Sequence, residues 1–314
     1  MSKRIVVALG GNAIIRQGEN PTVYTQFRNT REALRPIVEL VRDGHRIVIT
    51  HGNGPQVGQI LIRSEMASAK AYELPLGVCV AQSQGEMGYM IAQCMKNMLV
   101  HAGINDKEAV TIITQVIVDP KDPAMANPTK PIGPFMDEAR GRALAAQGTV
   151  VREDAGRGWR RVVASPYPYS VYERKAILDL IDDGFIVVAV GGGGCPIYFE
   201  KDGTLEGVDA VVDKDLASMI LAREIGAEVL IISTGVPFVY LNFGKPEQVK
   251  VEHATAAQMR AWLAEGHFAK GSMEPKIRAA VEFIEGGGEE VIITLPEQVT
   301  EAFKGNTGTH ITAK

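Results

Sequence analysis

Three lysines of this sequence stand where a positive charge could hold an anion. Prolines enclose Lys130 in the stretch NPTKPIGPF (127–135) and restrict the directions that its side chain can take. Lys214 and Lys276 each stand at the start of a predicted helix. A helix start favours negative charge, so a lysine there destabilises the helix unless an anion lies in front of it. Any one of them could be an ordinary surface lysine, but the three together favour a phosphate or carboxylate site.

Three glycine-rich turns follow short apolar runs that have the composition of buried parallel strands. They are Gly10, Gly11 and Asn12 after the run 5–9, Gly52, Asn53 and Gly54 after the run 46–50, and the four glycines 191–194 after the run 185–190. Glycine has no Cβ, so backbone N–H groups can turn toward an anion. Three such turns at one sheet edge predict an anion-binding crevice, although any one alone could be a simple tight turn.

Several familiar phosphate- and metal-binding signatures do not occur in the sequence. There is no GxxxxGK[ST], and no GxGxxG follows the first strand, which argues against a P-loop or a dinucleotide-binding domain. The protein-kinase motifs and HExxH do not occur either. Cys79, Cys94 and Cys195 are odd in number and widely spaced, which favours reduced thiols over a disulfide framework or a zinc site. We expect Cys79 and Cys94 to be small core residues, and a nucleophilic role for Cys195 is disfavoured.

The composition is that of an ordinary soluble globular protein. The chain has 314 residues, 46% of them hydrophobic, and a net charge of −4. This charge argues against a general nucleic-acid or acidic-membrane binder. No apolar run is long enough for a membrane span, and the first apolar run is too short for a signal peptide. We therefore expect a cytoplasmic protein with small-molecule ligands, no nucleic acid and no membrane partner.

Strand and helix patterns alternate along most of the chain and predict an α/β fold with a mainly parallel sheet covered on both faces. The predicted strands are 5–9, 46–50, 109–118, 185–190, 228–233 and 290–294. The predicted helices include 22–43, 76–102, 171–183, 214–225, 254–265 and 273–285. Seven prolines interrupt the alternation between 119 and 170. We interpret 119–170 as an inserted subdomain, with a hairpin near 149–163, rather than as a linker.

Seven stretches of the chain resemble the carbamate kinases of the amino acid kinase family. They are VVALGGNA (6–13), HGNGPQVG (51–58), NPTKPIGPF (127–135), EDAGRGWRRVV (153–163), GGGGCPI (191–197), VDKDLAS (212–218) and GSMEPKI (271–277). The resemblance implies a three-layer αβα sandwich with an eight-stranded sheet, a protruding inserted subdomain and a homodimer. An N-terminal lobe, 1–183, would hold carbamate or carbamoyl phosphate. A C-terminal lobe, 184–314, would hold the nucleotide.

The resemblance also implies a reaction, the reversible phosphoryl transfer from ATP to carbamate that gives ADP and carbamoyl phosphate. Mg²⁺ would arrive with the nucleotide, and the commoner direction in the family forms ATP during arginine catabolism. Ala8 stands where many members of the wider family have a lysine, and the resemblance assigns that task to Lys130. This makes acetylglutamate kinase or uridylate kinase less fitting. Another acyl or amino-acid kinase of this fold, and a non-catalytic sensor of nucleotide or carbamoyl phosphate, are the alternatives.

We assign roles to the candidate residues as hypotheses. The first two glycine turns present N–H groups and amides to carbamate and the phosphoryl group. Lys130 contacts that group from the carbamate side, while Lys214 and Lys276 contact the β- and γ-phosphates. Asp215 orients the lysines and reaches Mg²⁺ through water, and no side chain is a direct metal ligand. The expected nucleotide-binding residues are Thr234, Gly235, Tyr240, Gly271, Met273 and Lys276.

Two expectations concern individual side chains. Lys130 is expected to protrude and bury little surface, so its removal should not affect folding. His51 is expected either to touch substrate or to make a buried hydrogen bond.

Overall fold

The computed structural model describes residues 2–16, 18–20, 22–153 and 158–314. Its helices are α1 (Val23–Arg42), α2 (Gly54–Ala67), α3 (Leu76–His101), α4 (Pro123–Ala126), α5 (Glu138–Ala146), α6 (Arg174–Asp182), α7 (Lys214–Glu224), α8 (Ala256–Ala264), α9 (Met273–Glu285) and α10 (Val299–Phe303). Short 3-10 turns cover Gly11–Ala13, Gly191–Gly193 and Pro296–Gln298. The predicted helices all occur, with ends within three residues of the predicted ones.

The strands include several that the sequence pattern does not predict. They are β1 (Arg4–Leu9), β2 (Arg46–His51), β3 (Ala109–Thr111), β4 (Gln115–Val118), β5 (Lys130–Met136), β6 (Val151–Glu153), β7 (Trp159–Val163), β8 (Pro168–Val171), β9 (Ile186–Val188), β10 (Cys195–Phe199), β11 (Leu205–Gly207), β12 (Val229–Ser233), β13 (Val239–Leu241), β14 (Val249–Val251), β15 (His253–Thr255), β16 (Glu290–Thr294) and β17 (Thr309–Thr312).

An eight-stranded sheet in the order β15-β17-β16-β12-β1-β2-β9-β3 forms the centre of the fold. Its pairings are parallel except for β16 with β17. In β1, Val6 and Ala8 join the core on one face of the sheet, and Ile5, Val7 and Leu9 join the core on the other. Burial on both faces explains why this strand is an unbroken apolar run. The predicted three-layer sandwich with a mainly parallel sheet is confirmed.

The strands that precede the three glycine turns are neighbours in this sheet. β1 pairs with β2, and β2 pairs with β9, both in parallel. Their carboxyl ends therefore lie at the same edge, together with the end of β12 on the other side of β1. The chain leaves β1 for β2 on one side, while β12 flanks β1 on the other. This topological switch point is where open α/β sheets bind ligands.

The predicted single strand 109–118 is wrong, because the chain divides it between two sheets. β3 ends the central sheet, whereas β4 pairs with β10 and β8 in a separate four-stranded sheet. The side chain of Gln84 on α3 accepts a hydrogen bond from Thr114 N (2.8 Å) and donates one to Thr114 O (3.0 Å). This side chain takes the place of a strand partner at the break.

The proline-rich region forms a small sheet of its own. β5, β7 and β6 pair only with one another among the described residues, and β6 and β7 form the antiparallel hairpin predicted near 149–163. Part of that hairpin, 154–157, lies outside the described residues. The sheet sits against α2 at Gly58, where an added Cβ would lie 2.0 Å from the Cα of Gly133. We call residues 130–163 the insertion sheet.

Strands from both predicted lobes share the central sheet. β9, which follows the expected boundary at 183/184, lies between β2 and β3. The division into two lobes stays a prediction. In the described part of the chain, no helix combines the length and the apolar character needed to span a bilayer.

Candidate functional site

The three predicted lysines line one cavity, although they come from three separate elements. Lys130 belongs to the insertion sheet, Lys214 begins α7, and Lys276 lies in the first turns of α9. The cavity has a volume of about 730 Å³ and is also lined by the first two glycine turns. Two helices and an insertion that are far apart in sequence thus place their ammonium groups at the switch point of the sheet.

Asp215 holds two of these lysines on the two oxygens of its carboxylate. Lys214 Nζ donates to Oδ1, and Lys276 Nζ donates to Oδ2 at 2.9 Å. The carboxylate is buried, and the side chains of both lysines are nearly so. This arrangement fixes the positions of both ammonium groups relative to the cavity.

Asp213 holds the third lysine and also caps α7. Lys130 Nζ donates to Asp213 Oδ2, and the other oxygen accepts from the N–H groups of Asp215 (2.9 Å) and Leu216 (3.3 Å). The Lys130 side chain is 26% exposed and that of Asp213 is 13% exposed. The expectation of a freely protruding Lys130 is therefore wrong, because the insertion lysine is tied to the body by an ion pair.

The charges in this cluster are strongly coupled. Burial lowers the pKa of Lys214, although Asp215 acts in the opposite direction. Burial also opposes the charge of Lys276, but the charge and hydrogen bond of Asp215 outweigh it and raise the pKa of Lys276. Burial would raise the pKa of Asp215, yet Lys214 and Lys276 hold it well below its usual range. With three ammonium groups against two carboxylates, the cluster carries one net positive charge.

Three helices begin at the cavity. α2 begins at Gly54, α7 at Lys214 and α9 just after Gly271 and Ser272, and all of these residues line the cavity. The first N–H groups of a helix have no partner within the helix, and its dipole places partial positive charge there. The cavity therefore combines helix starts with lysines, which is the electrostatic setting of an anion site.

Two of the predicted glycine N–H groups are hydrogen-bonded within the fold. Gly10 N donates to Ser233 Oγ (2.9 Å), and Gly52 N donates to Leu9 O (3.1 Å). Both bonds tie the strand ends together, and the binding of substrate by Gly10 and Gly52 stays a prediction. Gly52 has a different use, because an added Cβ would lie 3.3 Å from Cδ of Lys214. Its missing side chain leaves room for the lysine stem.

The third glycine turn serves mainly close packing. Of its residues, Gly192 lines the cavity. A Cβ on Gly192 would lie 2.0 Å from Nδ2 of Asn53, and φ is positive (66°). Asn53 also lines the cavity and donates from Nδ2 to Ser83 Oγ (2.8 Å). The turn thus positions Asn53, a role that the anion-binding hypothesis did not include.

The other predicted site residues fall into two groups. Gly11, Gly54 and Gly271 line the cavity, while Gly10, Thr234, Gly235, Tyr240 and Met273 are not in its lining. The Asn12 side chain lies outside the described part of the chain. Met273 packs against the main core, and the Tyr240 ring lies 5.8 Å from that of Phe243. The nucleotide-binding role of Thr234, Gly235, Tyr240 and Met273 stays a prediction.

His51 and Cys195 are buried rather than exposed to the cavity. His51 Nδ1 donates to Gly52 O at 3.1 Å, and burial lowers the pKa of the imidazole to about 4. His51 is therefore neutral near pH 7 and makes the buried hydrogen bond that was one of its two expected roles. Burial raises the pKa of Cys195 to about 11, which keeps the thiol protonated. Cys79 and Cys94 are buried on α3, as expected.

Five polar residues of the cavity are absent from the sequence hypotheses for anion binding. They are Arg16, Gln59, Arg160, Asp213 and Ser272. Arg160 donates from Nε (3.1 Å) and Nη2 (2.9 Å) to Gly133 O, and its guanidinium lies 5.1 Å from the centre of the Phe135 ring. The doubled arginine in the WRRVV stretch is the only sequence signal for it, and that signal does not say which arginine faces inward.

The carboxylates of the cluster do not fit direct binding of a metal ion. Each of the four oxygens of Asp213 and Asp215 accepts a hydrogen bond from a lysine or a backbone N–H. A cation bound directly to either group would have to share an oxygen that already accepts a hydrogen bond. In the described residues, no group of three His, Cys, Asp or Glu side chains is arranged to hold a metal.

Comparisons with known proteins agree with this geometry. The amino acid kinase family model matches residues 3–295. The carbamate kinase of Thermococcus kodakarensis is 46% identical over 98% of this chain and 99% of that protein. The carbamate kinase-like protein YahI of Escherichia coli is 46% identical over 99% of each chain. The structure of carbamate kinase from Giardia lamblia bound to AMP-PNP has a TM-score of 0.90 and 42% identity, covering 99% of this chain and 98% of that chain. The chain therefore belongs to the amino acid kinase family, in the group of carbamate kinases and carbamate kinase-like proteins.

Proposed function

We propose that this protein catalyses reversible phosphoryl transfer between ATP and carbamate, with ADP and carbamoyl phosphate as the other pair. The observation that carries the proposal is the meeting of Lys130, Lys214 and Lys276 in one cavity at three helix starts. The carbamate kinases among its relatives, at 46% identity, support the choice of substrate.

The main barrier to this reaction is the approach of two anions. Opposite unit charges 4 Å apart attract by about 4 kcal/mol at an effective dielectric constant near 20. Several lysines therefore offset the repulsion between carbamate and the phosphates of the nucleotide. Asp213 and Asp215 hold these lysines in place beforehand, so little reorganisation is needed when charge moves in the transition state.

The proposed chemistry needs no general base, because carbamate already has an anionic oxygen. His51 is buried, neutral near pH 7 and hydrogen-bonded to Gly52 O, so it is not arranged to remove a proton from a ligand. Phosphoryl transfer depends mainly on positioning and on charge stabilisation. The lysine cluster and the helix starts supply both, which supports an anionic rather than an alcohol acceptor.

The roles of the lysines follow from the elements that carry them. Lys130 approaches from the insertion sheet and would contact the transferred group from the carbamate side. Lys214 and Lys276, at the starts of α7 and α9, would contact the β- and γ-phosphates. Gly11 and Gly54 would contact the acceptor from the opposite wall.

The nucleotide would enter beside α9. Gly271 and Lys276 line the cavity there, and we propose Thr234, Gly235, Tyr240 and Met273 as its more distant contacts. The relative from Giardia lamblia was solved with AMP-PNP, which supports a nucleoside triphosphate as the ligand. Mg²⁺ would arrive on the phosphates, because the aspartates of the cluster are already occupied by lysines.

Three broader properties complete the proposal. We propose that the protein is a cytoplasmic homodimer and that in the cell it forms ATP from carbamoyl phosphate produced by arginine catabolism. The odd number of cysteines, all of them unpaired and buried, supports a reducing compartment. Sedimentation of the purified protein would test the dimer.

The direct test is ATP formation from ADP and carbamoyl phosphate with Mg²⁺, followed by a coupled assay. Parallel reactions with ATP and carbamate, acetylglutamate, glutamate or UMP would test the acceptor. We expect turnover with carbamate and carbamoyl phosphate, and its loss in Lys276→Ala. Lys201→Ala, which removes an exposed lysine outside the cavity lining, should keep the activity. Turnover with another acceptor alone would overturn the proposal, and no turnover with any of them would favour a sensor.

A further inference from the structure

Asp213 makes two kinds of contact, and a helix cap needs only one of them. One oxygen caps α7 by accepting from the N–H groups of Asp215 and Leu216. The other oxygen binds Lys130, which is 83 positions away along the chain. An asparagine would serve equally well as a cap, since Asn and Asp are about equal at this position. The negative charge at residue 213 is therefore explained by the lysine and not by the helix.

This ion pair joins the insertion sheet to the body at the cavity. Lys130 is the first residue of β5, which pairs with β7 inside the insertion sheet. Asp213 immediately precedes α7. The first two residues of α7, Lys214 and Asp215, are hydrogen-bonded to each other through their side chains. The Lys130 ammonium is thus held at the cavity by the residue that directly precedes Lys214 and caps α7.

Lys130 can leave Asp213 without leaving an unsupported charge behind. The carboxylate keeps its hydrogen bonds to two N–H groups and lies at the positive end of the α7 dipole. Burial opposes the charge of Asp213, but Lys130 holds its pKa below the usual range. Without Lys130, the two N–H donors and the charge of Lys276 still oppose the effect of burial, so an incoming anion can take over the ammonium.

We propose that Asp213 is a positioning residue that holds the Lys130 ammonium at the cavity and releases it to the transferred phosphoryl group. The proposal rests on the proposed function and deepens it. A free lysine side chain has many rotamers, and ordering it in the transition state costs free energy. Because Asp213 orders Lys130 before substrate binds, the free-energy barrier of the chemical step does not include that ordering.

A double-mutant cycle tests whether Asp213 acts through Lys130. Asp213→Asn keeps the cap and removes the charge. We expect it to lower kcat/KM by roughly tenfold, about what ordering one lysine is worth, with most of the loss in kcat. In a Lys130→Ala background the same substitution should change kcat/KM by less than about twofold, because coupled residues are not additive. Asp137→Asn, at the cap of α5 outside the cavity lining, is the matched control.

Hydrogen exchange tests the same pair without any turnover. Amides of β5 should exchange faster in Asp213→Asn and in Lys130→Ala than in the unsubstituted protein, and to a similar extent. Asp137→Asn should leave them unchanged. Because Lys130→Ala breaks the pair from the other side, the test does not depend on one variant folding well.

The outcomes separate this proposal from the function on which it rests. An equal fall in kcat/KM in both backgrounds would mean that Asp213 acts through α7 alone, and the proposal would be overturned. Unchanged exchange of β5 in both variants would overturn it too. If the unsubstituted protein shows no turnover with carbamoyl phosphate, the proposed function fails, and the exchange result alone decides whether Asp213 holds Lys130.

Discussion

Lys276 Nζ on α9 lies 2.9 Å from Oδ2 of Asp215 on α7, and this bond joins the starts of two helices across the cavity. The other oxygen of the same carboxylate binds Lys214. One buried side chain therefore determines the positions of two ammonium groups. Its loss should affect both at once.

Asp215→Asn removes the charge that both lysines share. Leaving buried charges uncompensated costs about 3–5 kcal/mol of unfolding free energy. We also expect kcat to fall by roughly 10³, since two groups that stabilise transition-state charge lose their support. Urea denaturation and the coupled ATP assay measure the two effects. Asp106→Asn, at an exposed aspartate outside the cavity lining, should change neither, and a kcat within threefold for Asp215→Asn would contradict the role of the carboxylate.

Gly52→Ala should move a lysine without touching its charge. The added Cβ would lie 3.3 Å from Cδ of Lys214, which is tighter than ordinary packing, so the lysine stem must shift by a few tenths of an ångström. Small displacements of a positioned group are costly, and we expect kcat/KM to fall about tenfold. Thermal denaturation should change little, because φ of Gly52 is not in the left-handed region.

Gly85→Ala is the matched control for that substitution. Gly85 is an exposed residue of α3 with nothing within 4 Å of an added Cβ. Alanine there should keep full activity and stabilise the protein by about 0.5–1 kcal/mol, because glycine is a poor helix former. If both variants lose activity equally, the effect at residue 52 does not come from Lys214.

Lys130→Ala should lower kcat by roughly 10²–10³, as expected for a group that stabilises transition-state charge. Its effect on folding differs from the sequence expectation, because the lysine is paired with Asp213. We expect a loss of about 1 kcal/mol of unfolding free energy, the usual range for a partly exposed ion pair. Lys121→Ala, at an exposed lysine before the insertion sheet, should change neither quantity. Unchanged kcat in Lys130→Ala would remove Lys130 from the mechanism.

His310 should make stability depend on pH near neutrality. Its Nδ1 faces Glu290 Oε1 at 2.7 Å and its Nε2 faces Thr307 O at 3.0 Å, so both nitrogens have an acceptor when the ring is protonated. The hydrogen bond to Glu290 raises the pKa of His310, although burial opposes it. A raised pKa stabilises the fold below the unfolded value of about 6.5, and this contribution is lost as pH rises through the folded pKa.

The difference in Tm between the unsubstituted protein and His310→Gln should therefore be large at pH 6 and shrink toward pH 9. The His253 ring stacks on His310 with centroids 5.3 Å apart, and Lys304 and Lys314 line the same surface cavity. His101→Gln, at an exposed histidine, is the control. A Tm difference that grows with pH would contradict the assigned protonation state.

The sequence pattern predicts the central sheet well, because burial on both faces makes its strands unbroken apolar runs. It fails at 109–118, where apolar and β-branched residues continue through the break between β3 and β4. At the break, both backbone groups of Thr114 are hydrogen-bonded to the amide of Gln84, which lies 30 positions earlier. The sequence pattern also misses β17. This strand contains the polar residues Thr309 and His310, which are buried by tertiary contacts.

The candidate site shows the same limit. The context of Lys214 and Lys276 at helix starts is visible in sequence and identifies both as anion-site candidates. Their shared partner Asp215 is also visible, since it adjoins Lys214. The pairing of Lys130 with Asp213 is not, because no local pattern links residues from the insertion sheet and α7. Likewise, the sequence does not show that the N–H groups of Gly10 and Gly52 are used within the fold.

The contact between Gly58 and Gly133 has a consequence for how this protein can change. The two main chains approach so closely that one additional carbon atom at residue 58 would collide with the opposite backbone. The distance between the insertion sheet and α2 therefore depends on the absence of a side chain at residue 58. A single methyl group there would act as a wedge, lifting Lys130 away from its neighbours while leaving every charged residue in the sequence intact.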